Sequence, residues 1–131
     1  MAKRVFLSFV VEDLDLVNLF RGQAKNKNND LEFDDYSVRE PFDSNDATYI
    51  RGQIKDRISR ASLLLCLIGT STNKSRWVSW EITTASDLGK RVGGVRLHSD
   101  SSKDSTPKAL TDAAGRVMDW DIDAIVKWIG S

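Results

Sequence analysis

The chain has 131 residues, and its 19 Lys and Arg residues match its 19 Asp and Glu residues, so it carries no formal net charge at pH 7. This length predicts a single domain spanning residues 1–131, and 40% hydrophobic residues is a globular composition. Without an excess of basic residues, a nucleic-acid partner is not expected. No apolar run approaches the ~20 residues of a membrane span, and no signal-peptide pattern is visible. We therefore expect a cytoplasmic protein without a membrane partner.

One cysteine and one histidine limit the chemistry further. A single cysteine forms no internal disulfide, and one Cys with one His makes a structural zinc site unexpected, so we expect no bound metal. Cys66 lies inside an apolar run, which predicts a buried and unreactive thiol. We interpret His98 as a surface residue at the end of a strand, and a catalytic role is the alternative.

Short apolar runs alternate with amphipathic stretches along the whole chain. The patterns predict strands at residues 4–9, 31–35, 61–68, 92–97 and 115–120, and helices at residues 12–26, 46–60, 75–90 and 121–130. Gly52 interrupts the second helix, and close packing of that helix on a sheet would explain it. The polar residues 99–108 predict a mobile surface loop that the core does not need.

The third strand is apolar on both faces, which is typical of a central parallel strand that helices cover on both sides. With the strand–helix alternation, it predicts an α/β flavodoxin-like three-layer sandwich whose five-stranded parallel sheet has the order 2-1-3-4-5. In such sheets ligands bind beyond the carboxyl ends of the strands, where the strand order reverses. We therefore expect residues 8–11, 34–37 and 69–75 to line a crevice.

Two common uses of this fold do not fit the residues at the crevice. A response-regulator receiver needs an acceptor Asp at the end of the third strand, and this strand ends in Leu67-Ile68-Gly69-Thr70. A flavodoxin needs a hydroxyl- and glycine-rich phosphate loop after the first strand, whereas residues 9–13 are bulky and acidic. The chain also contains no GxGxxG motif and no P-loop.

The third helix carries the most informative constellation of side chains. Trp77 and Glu81 are four residues apart, and Thr84 lies seven residues from Trp77, so the three share one stripe beside the apolar stripe of the helix. An acid next to an indole near the crevice is placed where desolvation raises a pKa. The structural alternative is a half-buried Trp beside a solvated Glu. Asp34 and Asp35 end the second strand across the crevice, and capping of the following loop is the alternative for them.

These segments resemble a TIR domain, and specifically the TIR-like proteins of bacterial Thoeris anti-phage systems. Val5-Phe6-Leu7-Ser8-Phe9 resembles the first-strand motif of that family. Ser75-Arg76-Trp77-Val78-Ser79-Trp80-Glu81, after the apolar third strand, is similar to the stretch that carries the catalytic glutamate of NAD-consuming TIR domains. Asp34-Asp35-Tyr36-Ser37 resembles the corresponding Thoeris-type segment.

The resemblance implies an enzyme that cleaves the nicotinamide–ribose bond of NAD, with NAD as substrate and no separate cofactor. It implies a cyclic ADP-ribose product that diffuses to a separate effector protein. Glu81 would be the catalytic residue, Trp77 and Phe9 would stack on rings or exclude water, and Ser8, Asp35 and Ser37 would contact ribose or phosphate. The alternative is a non-catalytic TIR module that signals by self-association, and a homo-oligomer is compatible with either function.

Overall fold

The computed structural model describes residues 3–36, 41–98, 100 and 104–131. Five strands form one parallel sheet in the order β2-β1-β3-β4-β5. Their bounds are β1 (Lys3–Ser8), β2 (Leu31–Asp34), β3 (Leu63–Ile68), β4 (Arg91–Arg96) and β5 (Arg116–Met118). The predicted flavodoxin-like architecture is therefore confirmed, with β1 and β3 at the point where the strand order reverses.

Helices cover both faces of this sheet. The described α-helices are α1 (Leu14–Lys27), α2 (Ala47–Arg60), α3 (Arg76–Asp87), α4 (Lys108–Asp112) and α5 (Ile122–Gly130). The side chains of α1 and α5 pack on one face, and those of α2, α3 and α4 pack on the other. Among the helices of the described residues, none combines the length and the apolar composition that a membrane crossing requires.

β3 joins the two halves of the core, and all six of its residues are buried. Successive side chains of a strand point to opposite faces. Leu63, Leu65 and Leu67 accordingly contact the α1/α5 layer, whereas the intervening residues contact the other layer. Cys66 is one of these, and its predicted burial is confirmed: loss of hydration raises the pKa of its thiol strongly. Its lack of reactivity remains a prediction.

Several predicted boundaries shift by a few residues, and one helix was missed. The first predicted helix starts as a 3₁₀ turn (Val11–Asp13) before α1, and the third ends at Asp87 because Gly89 adopts a positive φ of 75°. The short helix α4 was not predicted. The interpretation of Gly52 was wrong, because Gly52 is exposed and a Cβ at this position would have no neighbouring atom within 4 Å.

The prediction of a mobile loop at residues 99–108 needs correction where the structure describes it. Residues 99 and 101–103 lie outside the described residues. Asp104 binds the ring Nδ1 of His98 and accepts from its backbone N–H at 2.9 Å, and the Ser105 N–H donates to the Gly69 carbonyl at 3.2 Å. Pro107 is buried. His98 is thus half-buried and held by a carboxylate, which differs from the expected surface residue.

Candidate functional site

A buried pair of polar side chains joins β1 to α3. Ser8 is the last residue of β1, and parallel pairing places it beside Cys66 of β3. Ser75 caps α3 by accepting a hydrogen bond from the Val78 N–H at 3.1 Å, which fixes where the helix begins. Glu81 lies in the second turn of the helix, and the Ser8 hydroxyl donates to its Oε1 at 2.6 Å.

The carboxyl group of Glu81 is held in an environment that disfavours its charge. The residue is only 3% exposed, and burial raises its pKa to about 8. The Ser8 hydrogen bond opposes this rise, and the negative charge of Asp35 adds to it. Burial therefore favours the protonated form of Glu81 far more than water would. The alternative for these two residues was a half-buried Trp beside a solvated Glu. Trp77 is half-buried, but Glu81 is not solvated, so the alternative is wrong for Glu81.

A cavity of about 530 Å³ opens beside Glu81 at the carboxyl edge of the sheet. Its lining residues come from the segments after β1, β2 and β3 and from the start of α3: Phe9, Val10, Val11, Glu12, Tyr36, Ser71, Lys74, Ser75, Trp77 and Glu81. The predicted site residues Phe9, Trp77 and Glu81 thus share one cavity. Ser8 contributes through Glu81, and Thr84 is buried elsewhere on α3.

Trp77 lines this cavity and packs against Phe42. Its ring meets Phe42 edge to face, with centroids 4.9 Å apart and planes at 66°. Arg76 and Arg51 place their guanidinium groups 4.6 and 4.9 Å from the centroid of Phe42. These cation–π contacts fix Phe42 and, through it, the position of the indole.

The two carboxylates at the end of β2 are engaged with arginines. Asp34 binds Arg57 at 2.7 Å, and Asp35 binds Arg21 at 2.7 Å. Asp35 is not among the residues that line the cavity, but its charge acts on Glu81. Loop capping was the alternative for these residues, and the contacts here are ion pairs. Ser37, the remaining predicted contact residue, lies outside the described residues.

Five polar residues of the cavity were not named as candidate site residues from the sequence: Glu12, Tyr36, Ser71, Lys74 and Ser75. All but Glu12 fall within the segments expected to line the crevice, and Glu12 lies one residue beyond. Lys74 is the one charged residue in the polar loop at residues 69–75, and this feature of the sequence could have identified it. No group of three His, Cys, Asp or Glu residues that could hold a metal ion occurs within the part of the chain that the structure describes.

The arrangement places one buried acid beside several aromatic side chains. A buried carboxyl group can give or take one proton, and in its ionised form it can stabilise a positive charge on a ribosyl carbon. Aromatic side chains beside it offer faces for flat rings and exclude water. These capacities follow from Glu81, Phe9, Tyr36 and Trp77 alone.

Solved structures with similar folds include a CMP N-glycosidase and the TIR domains of a resistosome. The CMP N-glycosidase BcmB of Clostridium botulinum aligns with a TM-score of 0.56 and 17% identity over 98% of both chains. The TIR domains of the Roq1 resistosome that recognises the pathogen effector XopQ align with a TM-score of 0.59 and 15% identity, over 98% of this chain and 97% of theirs. At such identities the likeness shows the fold alone.

The sequence comparisons are more specific. No curated protein matches the chain. The sequence profile described as "Thoeris protein ThsB, TIR-like domain" matches residues 6–102, about three quarters of the chain, and includes both Ser8 and Glu81. The chain therefore belongs to the family of the TIR-like domain of Thoeris protein ThsB.

Proposed function

We propose that this protein cleaves the nicotinamide–ribose bond of NAD and converts the remainder into a cyclic ADP-ribose signal in anti-phage defence. The observation that carries the proposal is the buried Glu81, held by Ser8 at 2.6 Å and open to a cavity of about 530 Å³. Membership in the ThsB family supports the Thoeris context. In this proposal the protein acts in the bacterial cytoplasm, and its product diffuses to a separate effector.

The chemistry needs a charge at Glu81 that burial disfavours in the resting protein. When the C1′–N bond breaks, nicotinamide leaves as a neutral molecule with the bonding electrons, and a positive charge develops on the ribose. The ionised carboxylate stabilises that charge. The cationic nicotinamide ring, once bound beside Glu81, favours the carboxylate and expels its proton. Substrate binding thereby converts Glu81 into the carboxylate that the reaction needs.

The cavity walls determine what happens after the bond breaks. Phe9, Tyr36 and Trp77 provide aromatic surface against the nucleotide and keep water from the ribosyl cation. A nucleophilic atom elsewhere in the same molecule then forms the new bond to C1′, which gives a cyclic product. Access of water to the same carbon gives linear ADP-ribose. Asp35 acts from a distance through its charge on Glu81.

The test compares the wild-type protein with Glu81→Gln in bacteria exposed to phage. The substitution preserves size and hydrogen bonding and removes the ionisable group, so loss of product formation by about 10²-fold or more is expected. NAD and cyclic ADP-ribose are measured by mass spectrometry, and equal amounts of folded protein are confirmed by circular dichroism after purification. Glu12→Gln, an exposed acid of the same cavity, serves as the matched control.

Hydrolysis of the N-glycosidic bond of a nucleotide with a neutral base is the second candidate function. It is favoured by the raised pKa of Glu81, because a protonated acid can donate to a neutral leaving base. The fold neighbour described as a CMP N-glycosidase supports the same reaction class. Release of cytosine and ribose 5-phosphate from CMP by wild type but not by Glu81→Gln would favour this candidate over NAD cleavage.

A non-catalytic module that acts by self-association is the remaining alternative. It predicts that Glu81→Gln protects bacteria from phage as well as the wild type does, without nucleotide products in either strain. It also predicts that protection follows self-association, which light scattering measures. Loss of both the products and the protection in Glu81→Gln would exclude this alternative.

A further inference from the structure

The ionisable groups of the cavity are distributed unevenly. Glu12, Lys74 and Glu81 are the charged residue types in the described lining. Burial disfavours the charge of Glu81. Lys74 is thus the one cation that the described lining offers to a ligand, and it is exposed to solvent.

The other cations near the site already have partners. Arg76 binds Asp43 at 2.5 Å, Arg57 binds Asp34 and Arg21 binds Asp35. Arg51 lies over Phe42. Among the described residues, the Lys74 ammonium makes no hydrogen bond or ion pair, so a ligand would not have to displace a protein carboxylate from it.

Lys74 and Glu81 line the same cavity. Lys74 ends the 3₁₀ turn Thr72–Lys74 and comes just before Ser75, which caps α3 and also lines the cavity. The pKa of Glu81 responds to Ser8 and Asp35, and Lys74 is not among the groups that shift it.

A nucleotide offers a group to each of these side chains. Its anionic 5′-phosphate and its glycosidic C1′ atom belong to the same ribose unit, so one ligand in the cavity could present both. We infer that Lys74 binds the 5′-phosphate of the nucleotide whose glycosidic bond faces Glu81, so that the cavity selects nucleotides over nucleosides. The inference rests on the proposed cleavage of an N-glycosidic bond and does not depend on which base leaves.

Two matched ligand pairs test the inference: nicotinamide mononucleotide with nicotinamide riboside, and CMP with cytidine. Each pair differs by the 5′-phosphate alone. Calorimetric titrations in the Glu81→Gln background avoid turnover. For at least one pair we expect the phosphorylated member to bind about tenfold more tightly than its nucleoside, as one charge-assisted contact allows. Lys74→Ala should abolish most of that difference, and Lys74→Arg should retain it.

The control is Lys127→Ala, because Lys127 is an exposed lysine of α5 on the other face of the sheet. It should leave both affinities unchanged. A phosphate preference that survives in Lys74→Ala overturns the inference, and so does equal or undetectable binding of both members of both pairs.

Failure of NAD cleavage would appear differently from failure of this inference. A Lys74-dependent preference for CMP with no binding of nicotinamide mononucleotide would sustain the role of Lys74 and count against NAD as the substrate. NAD cleavage without any effect of Lys74→Ala on the phosphate preference would support NAD as the substrate and overturn the role of Lys74.

Discussion

At the scale of single residues, the proton on Glu81 links stability to pH. The pKa of the carboxyl is 4.5 in the unfolded chain and about 8 in the folded protein. Between these values the folded state holds a proton that the unfolded state has released, so the free energy of unfolding falls as pH rises. Below pH 4.5 both states hold the proton, and this loss of stability is absent.

Glu81→Gln should remove that pH dependence. Gln keeps a neutral hydrogen-bonding group beside Ser8, so at pH 5 we expect a change of about 1 kcal/mol or less. At pH 9 the variant should be more stable than the wild type by up to about 5 kcal/mol. Urea unfolding at pH 5, 7 and 9 measures the difference, with Glu12→Gln as the exposed control. A wild type and variant that unfold in parallel at all three pH values would contradict a buried, protonated Glu81.

Ser8→Ala should shift the pH dependence of catalysis. The Ser8 hydroxyl opposes the rise in the pKa of Glu81, so its removal raises that pKa further. The pH profile of kcat/KM reports the free enzyme and should move to higher pH, with activity at pH 7 falling about tenfold. The matched control is Ser79→Ala on the same helix. If kcat/KM fell equally at every pH, Ser8 would have only a structural role.

How far the sequence predicted the site differs from residue to residue. The spacing of Trp77 and Glu81 placed both near the crevice, and the cavity confirms that position. The burial of Glu81 did not follow from spacing, because it depends on Ser8, 73 positions away in the chain, coming within 2.6 Å. The use of Asp34 and Asp35 in ion pairs likewise depends on arginines of α1 and α2.

At the scale of secondary-structure elements, two glycines in regular elements have opposite surroundings. Gly52 in α2 is exposed with open space around it. Gly93 in β4 is buried, and a Cβ there would lie 2.6 Å from Cη2 of Trp128. The first glycine therefore costs helix stability without a packing reason, whereas the second is required by close approach of α5.

The same substitution at both positions tests this difference. Gly52→Ala should stabilise the protein by about 0.5–1 kcal/mol, because Ala favours the helix. Gly93→Ala should destabilise it by about 1–3 kcal/mol through overpacking. The midpoints of urea unfolding measure both effects. Equal shifts in the two variants would show that the contact between β4 and α5 is looser than described.

Elements with a strong apolar periodicity were predicted from the sequence, whereas an element with little periodicity was missed. α2 and α5 carry long apolar stripes, and their predicted bounds differ from the observed bounds by one residue at most. α4 has five residues and buries only Leu110, too little pattern to distinguish it from a loop. The anchoring of Asp104 by His98 depends on a contact between loop residues that polar composition does not encode.

At the scale of the whole molecule, β3 should make the two core layers unfold together. Its side chains alternate between the layers, so neither layer can lose its packing without exposing the other side of the same strand. We expect one cooperative transition for the predicted single domain. Trp77 and Trp80 pack on one layer, and Trp120 and Trp128 pack on the other, which supplies a probe for each.

Paired Trp→Phe variants make these probes independent. One variant keeps Trp77 and Trp80, and the other keeps Trp120 and Trp128. Within each variant, the fluorescence midpoint in urea should coincide with the circular dichroism midpoint. Fluorescence that changes before the loss of helix in either variant would show that one layer opens separately.

The packing of Trp128 against β4 limits how related sequences can diverge. Its ring lies over Gly93 on one side, and the guanidinium of Arg91 lies 4.6 Å from its centroid. Arg91 also donates to the carbonyls of Trp128 and Ile129 at 3.1 and 3.0 Å. A larger residue at position 93 fits only if the side chain at position 128 is smaller. Loss of the Trp128 ring would also remove the cation–π contact that Arg91 makes with it. In an alignment of homologues, positions 91, 93 and 128 should therefore covary.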